Sequence, residues 1–204
     1  MLMDVSSAQL VLVDLQQKLM PAMHDSANVV ANALRLAQAA QVLRVPCSVT
    51  EQYPAGLGRT VEPLAAFARA PLEKTSFSAV GDGLIERLEQ LGNPRQPQQS
   101  SRTARSLPKH LRQTPAVNER MDIVLAGCEA HVCVLQTAMD LLDNEFEVFL
   151  VTDACSSRTE RNRDAAYDRL AAEGATLVTT EMVLFEWLRS SGHAQFKALH
   201  ALIK

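Results

Sequence analysis

The chain of 204 residues carries 20 Lys and Arg against 23 Asp and Glu, a formal net charge of −3, and is 47% hydrophobic but only 4% aromatic. That length suits one sizeable domain with a largely aliphatic core, and the small acidic charge argues against a general nucleic-acid binder. No run approaches the roughly 18 apolar residues of a membrane helix, no basic-then-apolar leader opens the chain, and Cys47, Cys128, Cys133 and Cys155 form no C-x-x-C pair or metal-finger spacing, so a cytoplasmic protein with free thiols is expected.

The apolar run 10–13 ending in Asp14 reads as a buried strand of a parallel sheet. A carboxylate at the carboxyl end of such a strand points toward the crevice where open α/β sheets bind ligands; capping of the following loop is the competing reading. Asp25 and Ser26 offer an N-cap for an Ala-rich helix over 29–43, and Pro46 closes the connection. Residues 47–50 read as a second strand. The Pro- and Gly-containing stretch 51–60, with Gln52 and Tyr53, reads as a loop, and its Gly56-Leu57-Gly58 lacks the third glycine or Gly-Lys-Ser/Thr of a phosphate loop. A short helix interrupted by Pro63 is expected over 61–70. Lys74 lies in a segment of mixed strand and loop character, where a solvated lysine is the ordinary expectation. Asp82 caps a helix expected over 83–91, with Gly92 as its stop.

Residues 93–120 differ in composition. They hold Pro94, Pro97, Pro108 and Pro115 with Arg95, Arg102, Arg105, Lys109, Arg112 and Arg120, and almost no apolar periodicity. This reads as a long basic loop inserted into the domain, an expanded surface connection or a contact for an acidic partner or RNA.

Residues 122–126 form an apolar strand that Gly127 breaks, and from Val132 to Leu142 apolar positions recur at helical spacing. Cys133 therefore falls in the first turn of a helix, where backbone N–H groups and the positive end of the dipole favour a thiolate and can hold an oxyanion. Simple packing is the competing reading, because free cysteines are among the most buried residues. Asn144 then ends the helix, 147–151 reads as a strand, and 152–158 as a polar loop at its carboxyl end. A helix over 161–172 stopped by Gly174, a strand over 175–179, and helices over 182–189 and 194–203 complete the chain. Strands alternating with helices imply a single three-layer α/β domain with a mostly parallel six-stranded sheet.

Three separated motifs, Leu-Val-Asp14-Leu-Gln, Glu-Lys74-Thr-Ser-Phe and Gly-Cys-Glu-Ala-His-Val-Cys133-Val-Leu-Gln-Thr-Ala, resemble the isochorismatase-like cysteine hydrolases. Thr-Glu-Gln-Tyr-Pro at 50–54, Gly-Leu-Gly at 56–58, Asp-Ala-Cys-Ser-Ser-Arg at 153–158 and Thr-Thr-Glu at 179–181 look most like the isochorismatase domain-containing subgroup, over nearly the whole chain. The 93–120 insertion departs from the pattern. The resemblance implies a Rossmann-like sheet with a pocket at its carboxyl edge, and an Asp14–Lys74–Cys133 triad: Asp14 as general base and then acid, Lys74 pairing with it and favouring the thiolate, and Cys133 as nucleophile. It also implies a cis peptide at Cys128-Glu129, an oxyanion held on backbone N–H groups near Cys133, and a homo-oligomer. Nicotinamidases of the superfamily carry an Asp and His metal cluster after the second strand. Here that loop has no histidine, so neither metal nor other cofactor is expected. Isochorismatases proper lack the nucleophilic cysteine, so the expected activity is hydrolysis of an amide or ureido C–N bond in a small molecule through a thioester-type intermediate. Gln52, Tyr53, Phe77 and His131 are candidate pocket walls. The alternatives are a catalytically idle interaction module using the basic loop, and a thiol redox protein pairing Cys133 with Cys128.

Overall fold

The computed structural model describes residues 2–92 and 120–204. Six strands form one sheet: β1 Ala8–Val13, β2 Cys47–Gln52, β3 Leu72–Lys74, β4 Asp122–Cys128, β5 Glu147–Ser156 and β6 Thr176–Val178. Their order is β3-β2-β1-β4-β5-β6, and every pairing is parallel, so the mostly parallel sheet of the sequence reading is wholly parallel among the described residues. Both central strands are buried at every position, as expected for a sheet covered on both faces. Helices α1 (Ser26–Leu43), α6 (Thr180–Leu188) and α7 (Phe196–His200) pack together, and α4 (Leu135–Asp143) packs with α5 (Glu160–Ala172). The short α2 (Pro54–Leu57) and α3 (Leu84–Gly92) lie between strands on the β2–β3 side of the chain. The core is aliphatic, with Leu10, Leu12, Leu36, Leu88, Ile123 and Leu125 almost inaccessible to solvent.

The chain winds from β1 outward to β2 and β3, then returns to β4 and winds the other way. The reversal places a crevice between the carboxyl ends of β1 and β4, the place where such sheets bind ligands. Val13 pairs with Gly127 there, so Asp14 and the turn after β4 leave the sheet side by side.

Several expectations change. Within the stretch 51–60 read as a loop, β2 runs on to Gln52 and Pro54–Leu57 forms a helical turn, and β4 continues through Gly127 to Cys128. The helix over 61–70 reduces to one 3-10 turn, Glu62–Leu64, because beyond Leu64 no residue of the stretch is fully buried to anchor a longer helix. The polar stretch after 151 is not a loop: β5 runs on to Ser156 through a register shift against β4. Buried Ala154 and Cys155 drive that extension, and the Tyr167 phenol, 2.8 Å from the Thr152 carbonyl and 2.9 Å from that of Cys155, satisfies the irregular backbone. The terminal helix starts at Phe196 rather than 194 and tightens to a 3-10 turn at Ala201–Ile203. The basic loop expected over 93–120 lies, except for Arg120, outside the described residues. No helix among those residues is long and apolar enough to cross a membrane.

Candidate active site

Asp14 follows β1 directly and has a left-handed backbone, φ 51°, a conformation Asp tolerates better than most side chains. Its carboxylate is fully buried. The Thr50 hydroxyl donates to Oδ1 at 2.6 Å, and the Lys74 Nζ stands 2.8 Å from Oδ2. Both side chains of that ion pair are inaccessible to solvent. Lys74, the last residue of β3, is therefore the reverse of a solvated lysine. Its ammonium donates to Gln52 Oε1 at 2.6 Å, to the Phe77 carbonyl at 3.0 Å and to the Ser76 carbonyl at 3.3 Å. A buried ammonium persists only where charge and acceptors compensate the lost water, and here one carboxylate and three carbonyl oxygens do so.

Gln52 ends β2 and is fixed on all sides. The Gln16 side chain, itself fully buried, accepts from the Gln52 N–H at 2.8 Å and donates to the Gln52 and Gly58 carbonyls at 3.0 and 2.6 Å. The Gln52 amide then donates to the Thr75 carbonyl at 2.8 Å and turns its oxygen toward Lys74.

After β4 the Cys128-Glu129 peptide is cis, and Ala130–Val134 forms a π-helical turn before α4. The Glu129 carbonyl accepts from the N–H groups of Val132 and Val134. The Glu129 side chain is buried and held by Arg158 through two hydrogen bonds of 2.9 Å. Cys133 sits in the wide turn, 6% exposed, with its Sγ 4.0 Å from Gln52 Oε1 and its thiol facing both Asp14 and Lys74. The geometry thus gathers Asp14, Lys74, Gln52 and Cys133 from the ends of four different elements.

Burial works against the expected thiolate. Burial, reinforced by the negative charge of Asp14, pushes the Cys133 thiol up to about 12 against the opposing pull of Lys74. Burial also raises Cys47 and Cys155 to about 12 and Cys128 well above the ordinary thiol range. Acidity therefore does not single out Cys133; its carboxylate–ammonium neighbour does.

The candidate pocket walls separate. Gln52 reaches the centre. Tyr53 and Phe77 turn outward, with relative exposures of 59% and 53%; the Phe77 backbone, not its ring, touches the site. Tyr53 borders a cavity of about 520 Å³ with Pro54, Arg59, Glu73, Lys74 and Asp82. His131 is turned to Ser157, Nδ1 to Oγ 2.9 Å, and toward Asn162. Gln16, Thr50 and Arg158 were not among the predicted site residues, although each lies in a motif that carries the family resemblance; that membership, with their polarity beside strand ends, was the signal that could have found them. Among the described residues no three His, Cys, Asp or Glu side chains gather as metal ligands.

The isochorismatase domain profile matches residues 8–182. Isochorismatase domain-containing protein 2 of Danio rerio is 36% identical over 201 residues, covering 98% of this chain and 89% of that protein. The Mus musculus protein 2A is 34% identical, with 97% and 83% covered. Among solved structures, one described as MAR1 ribonuclease from Caenorhabditis elegans superposes with a TM-score of 0.80 at 31% identity, covering 98% of this chain and 91% of that one. An octameric hydrolase of unknown specificity from Escherichia coli superposes with a TM-score of 0.79 at 25% identity, covering 98% and 88%.

Proposed function

Because the chain belongs to the isochorismatase family, we propose that it is a metal-independent cysteine hydrolase that cleaves an amide or ureido C–N bond in a small molecule. The observation that carries this reading is the solvent-free Asp14–Lys74 pair at 2.8 Å with the Cys133 thiol facing both.

A thiol raised to about 12 carries little standing thiolate at neutral pH, so attack is coupled to proton transfer. The Cys133 proton passes to Asp14 as Sγ bonds to the carbonyl carbon. The oxyanion that forms rests on backbone N–H groups of the turn around Cys133. Collapse breaks the C–N bond, Asp14 returns the proton to the departing nitrogen, and a thioester remains. Water attacks it, Asp14 takes the water proton, and release of the acid restores the thiol. The Lys74 ammonium beside Asp14 offsets the negative charge as it moves from Asp14 to the oxyanion and back.

Internal transfer has a kinetic signature. The Asp14/Cys133 unit passes its proton inward, so alkylation of Cys133 by iodoacetamide should be nearly independent of pH from 6.5 to 8.5. An ordinary thiol speeds up about tenfold per pH unit below its pKa. Peptide mass spectrometry reads each cysteine separately. Asp14→Asn should abolish the plateau, and Cys133→Ala should abolish ammonia release from a panel of amides and ureido compounds, in which chelator should leave wild-type turnover unchanged. Ordinary pH-dependent alkylation of wild-type Cys133 would remove the basis for the reading. Model RNA belongs in the same panel because of the nematode structure's name; the net charge of −3 is poorly suited to a polyanion, and no cleavage is expected.

The protein is also proposed to be a homo-oligomer, in line with the octameric Escherichia coli hydrolase and with the exposed rings of Tyr53, Phe77 and Phe185. Light scattering coupled to size exclusion should return a mass several times the 22.3 kDa of one chain; a single-chain mass at micromolar concentration would overturn this.

A further inference from the structure

We propose that Gln52 is a positioning residue that draws the Lys74 ammonium protons away from Asp14 and so keeps one carboxylate oxygen open to the Cys133 proton. This rests on the proton transfer assigned above to Asp14.

The two oxygens of Asp14 are not equivalent. Oδ1 receives the Thr50 hydroxyl at 2.6 Å. Oδ2 is buried and lies 2.8 Å from Lys74 Nζ, yet it receives no directed hydrogen bond from any described group. The ammonium has three hydrogens, and three acceptors other than Asp14 stand around it: Gln52 Oε1 at 2.6 Å, Phe77 O at 3.0 Å and Ser76 O at 3.3 Å. Close approach without a directed bond gives Asp14 the lysine's charge while leaving the Oδ2 lone pair free. A directed charge-assisted bond would occupy that lone pair and make the carboxylate a poorer base.

Of the three acceptors, Gln52 makes the shortest contact and is the sole side chain. It is held for the task. Gln16 fixes its backbone, and the Thr75 carbonyl takes its amide N–H, which leaves the oxygen facing Lys74. The same oxygen lies 4.0 Å from Cys133 Sγ, so the amide stands where it governs the ammonium on the nucleophile's side. Without this acceptor, one ammonium hydrogen has Oδ2 as its nearest strong alternative.

The test is the height of the neutral-pH alkylation plateau of Cys133. Gln52→Met matches the side-chain length without an acceptor, and Gln52→Asn keeps an amide one methylene too short to reach Lys74. Both should lower the plateau about tenfold, because a carboxylate oxygen occupied by the ammonium takes a proton less readily, and both should keep it flat, because Asp14 still takes the proton. A thermal melt of each variant establishes that the folded protein is being read. A folded Met or Asn variant with the wild-type plateau height overturns the proposal, as does one in which the plateau is replaced by an ordinary tenfold rise per pH unit. If the wild type itself has no plateau, the base role of Asp14 fails first and Gln52 loses its function with it.

Discussion

Lys74→Met should destabilise the fold by about 3–5 kcal/mol, and adding Asp14→Asn should restore most of that loss without restoring any activity. The ion pair is fully buried, with Nζ 2.8 Å from Oδ2. Removing the ammonium alone strands a carboxylate that has one hydroxyl donor, from Thr50, and no access to water. Breaking a buried pair from one side has that order of cost, because the remaining charge is uncompensated. Replacing both partners by neutral groups of similar size is close to neutral, since neither desolvation penalty remains. The double variant also keeps an acceptor for Thr50 in the Asn carbonyl. Urea denaturation of the wild type, both single variants and the double variant closes the cycle, and the coupling should be strongly non-additive. Ammonia release should fall by about 10²–10⁴ in Asp14→Asn and in the double variant, the range for loss of a general base. A pair kept for folding alone would show the opposite: a stable double variant that still turns over. Equal and additive losses from the two single substitutions would argue that the pair is not coupled.

This pair also marks how far the sequence could be read. Strand ends were legible where an apolar run met a polar residue, as at Val13-Asp14, and the sheet followed from their alternation with helical stretches, although β4 runs through Gly127 to Cys128 instead of breaking there. The positions of Asp14, Lys74 and Cys133 came from separated motifs, and the fold brings all three to one place. What the sequence could not supply was burial. Lys74 reads as a surface residue until β3 is placed beside β2, and the Cys133 thiol reads as activated until its desolvation is weighed against one lysine. The β5 extension was missed for a related reason. Thr152, Asp153 and Ser156 are polar, but each finds a partner inside the protein: Thr152 on Val178, Asp153 on the N-terminus of α6 and Ser156 on the His24 carbonyl. Gln16 shows the same limit: it closes the motif around Asp14, but neither its type nor its polar neighbours say that it will be enclosed and make three hydrogen bonds.

Gly127→Ala should be the most damaging single-methyl change in the chain, because the site depends on how closely two backbones meet. Gly127 has φ +136°, which side-chain-bearing residues rarely adopt. A Cβ there would lie 2.1 Å from the Val13 carbonyl oxygen, 2.7 Å from its nitrogen and 2.8 Å from its carbonyl carbon. None of these atoms is the end of a flexible side chain. They belong to β1 at the residue before Asp14, in a strand paired with β4 over its whole length. Relief requires β1 and β4 to part at the crevice, with loss of ladder hydrogen bonds and core contact, and a cost above about 4 kcal/mol is expected from combined backbone strain and overpacking. Gly174→Ala is the control. Its φ is also positive, +106°, but nothing lies within 4 Å of the added methyl, so only the conformational cost of about 1 kcal/mol remains. Urea midpoints should separate the two variants widely. Any Gly127→Ala protein that folds in the cold should also lose the flat Cys133 alkylation profile, because parting β1 from β4 moves Asp14 away from the turn that carries the thiol. A Gly127→Ala variant with near-wild-type stability would mean that the two strands do not need this close approach, and the geometry derived for the proton transfer would lose its anchor.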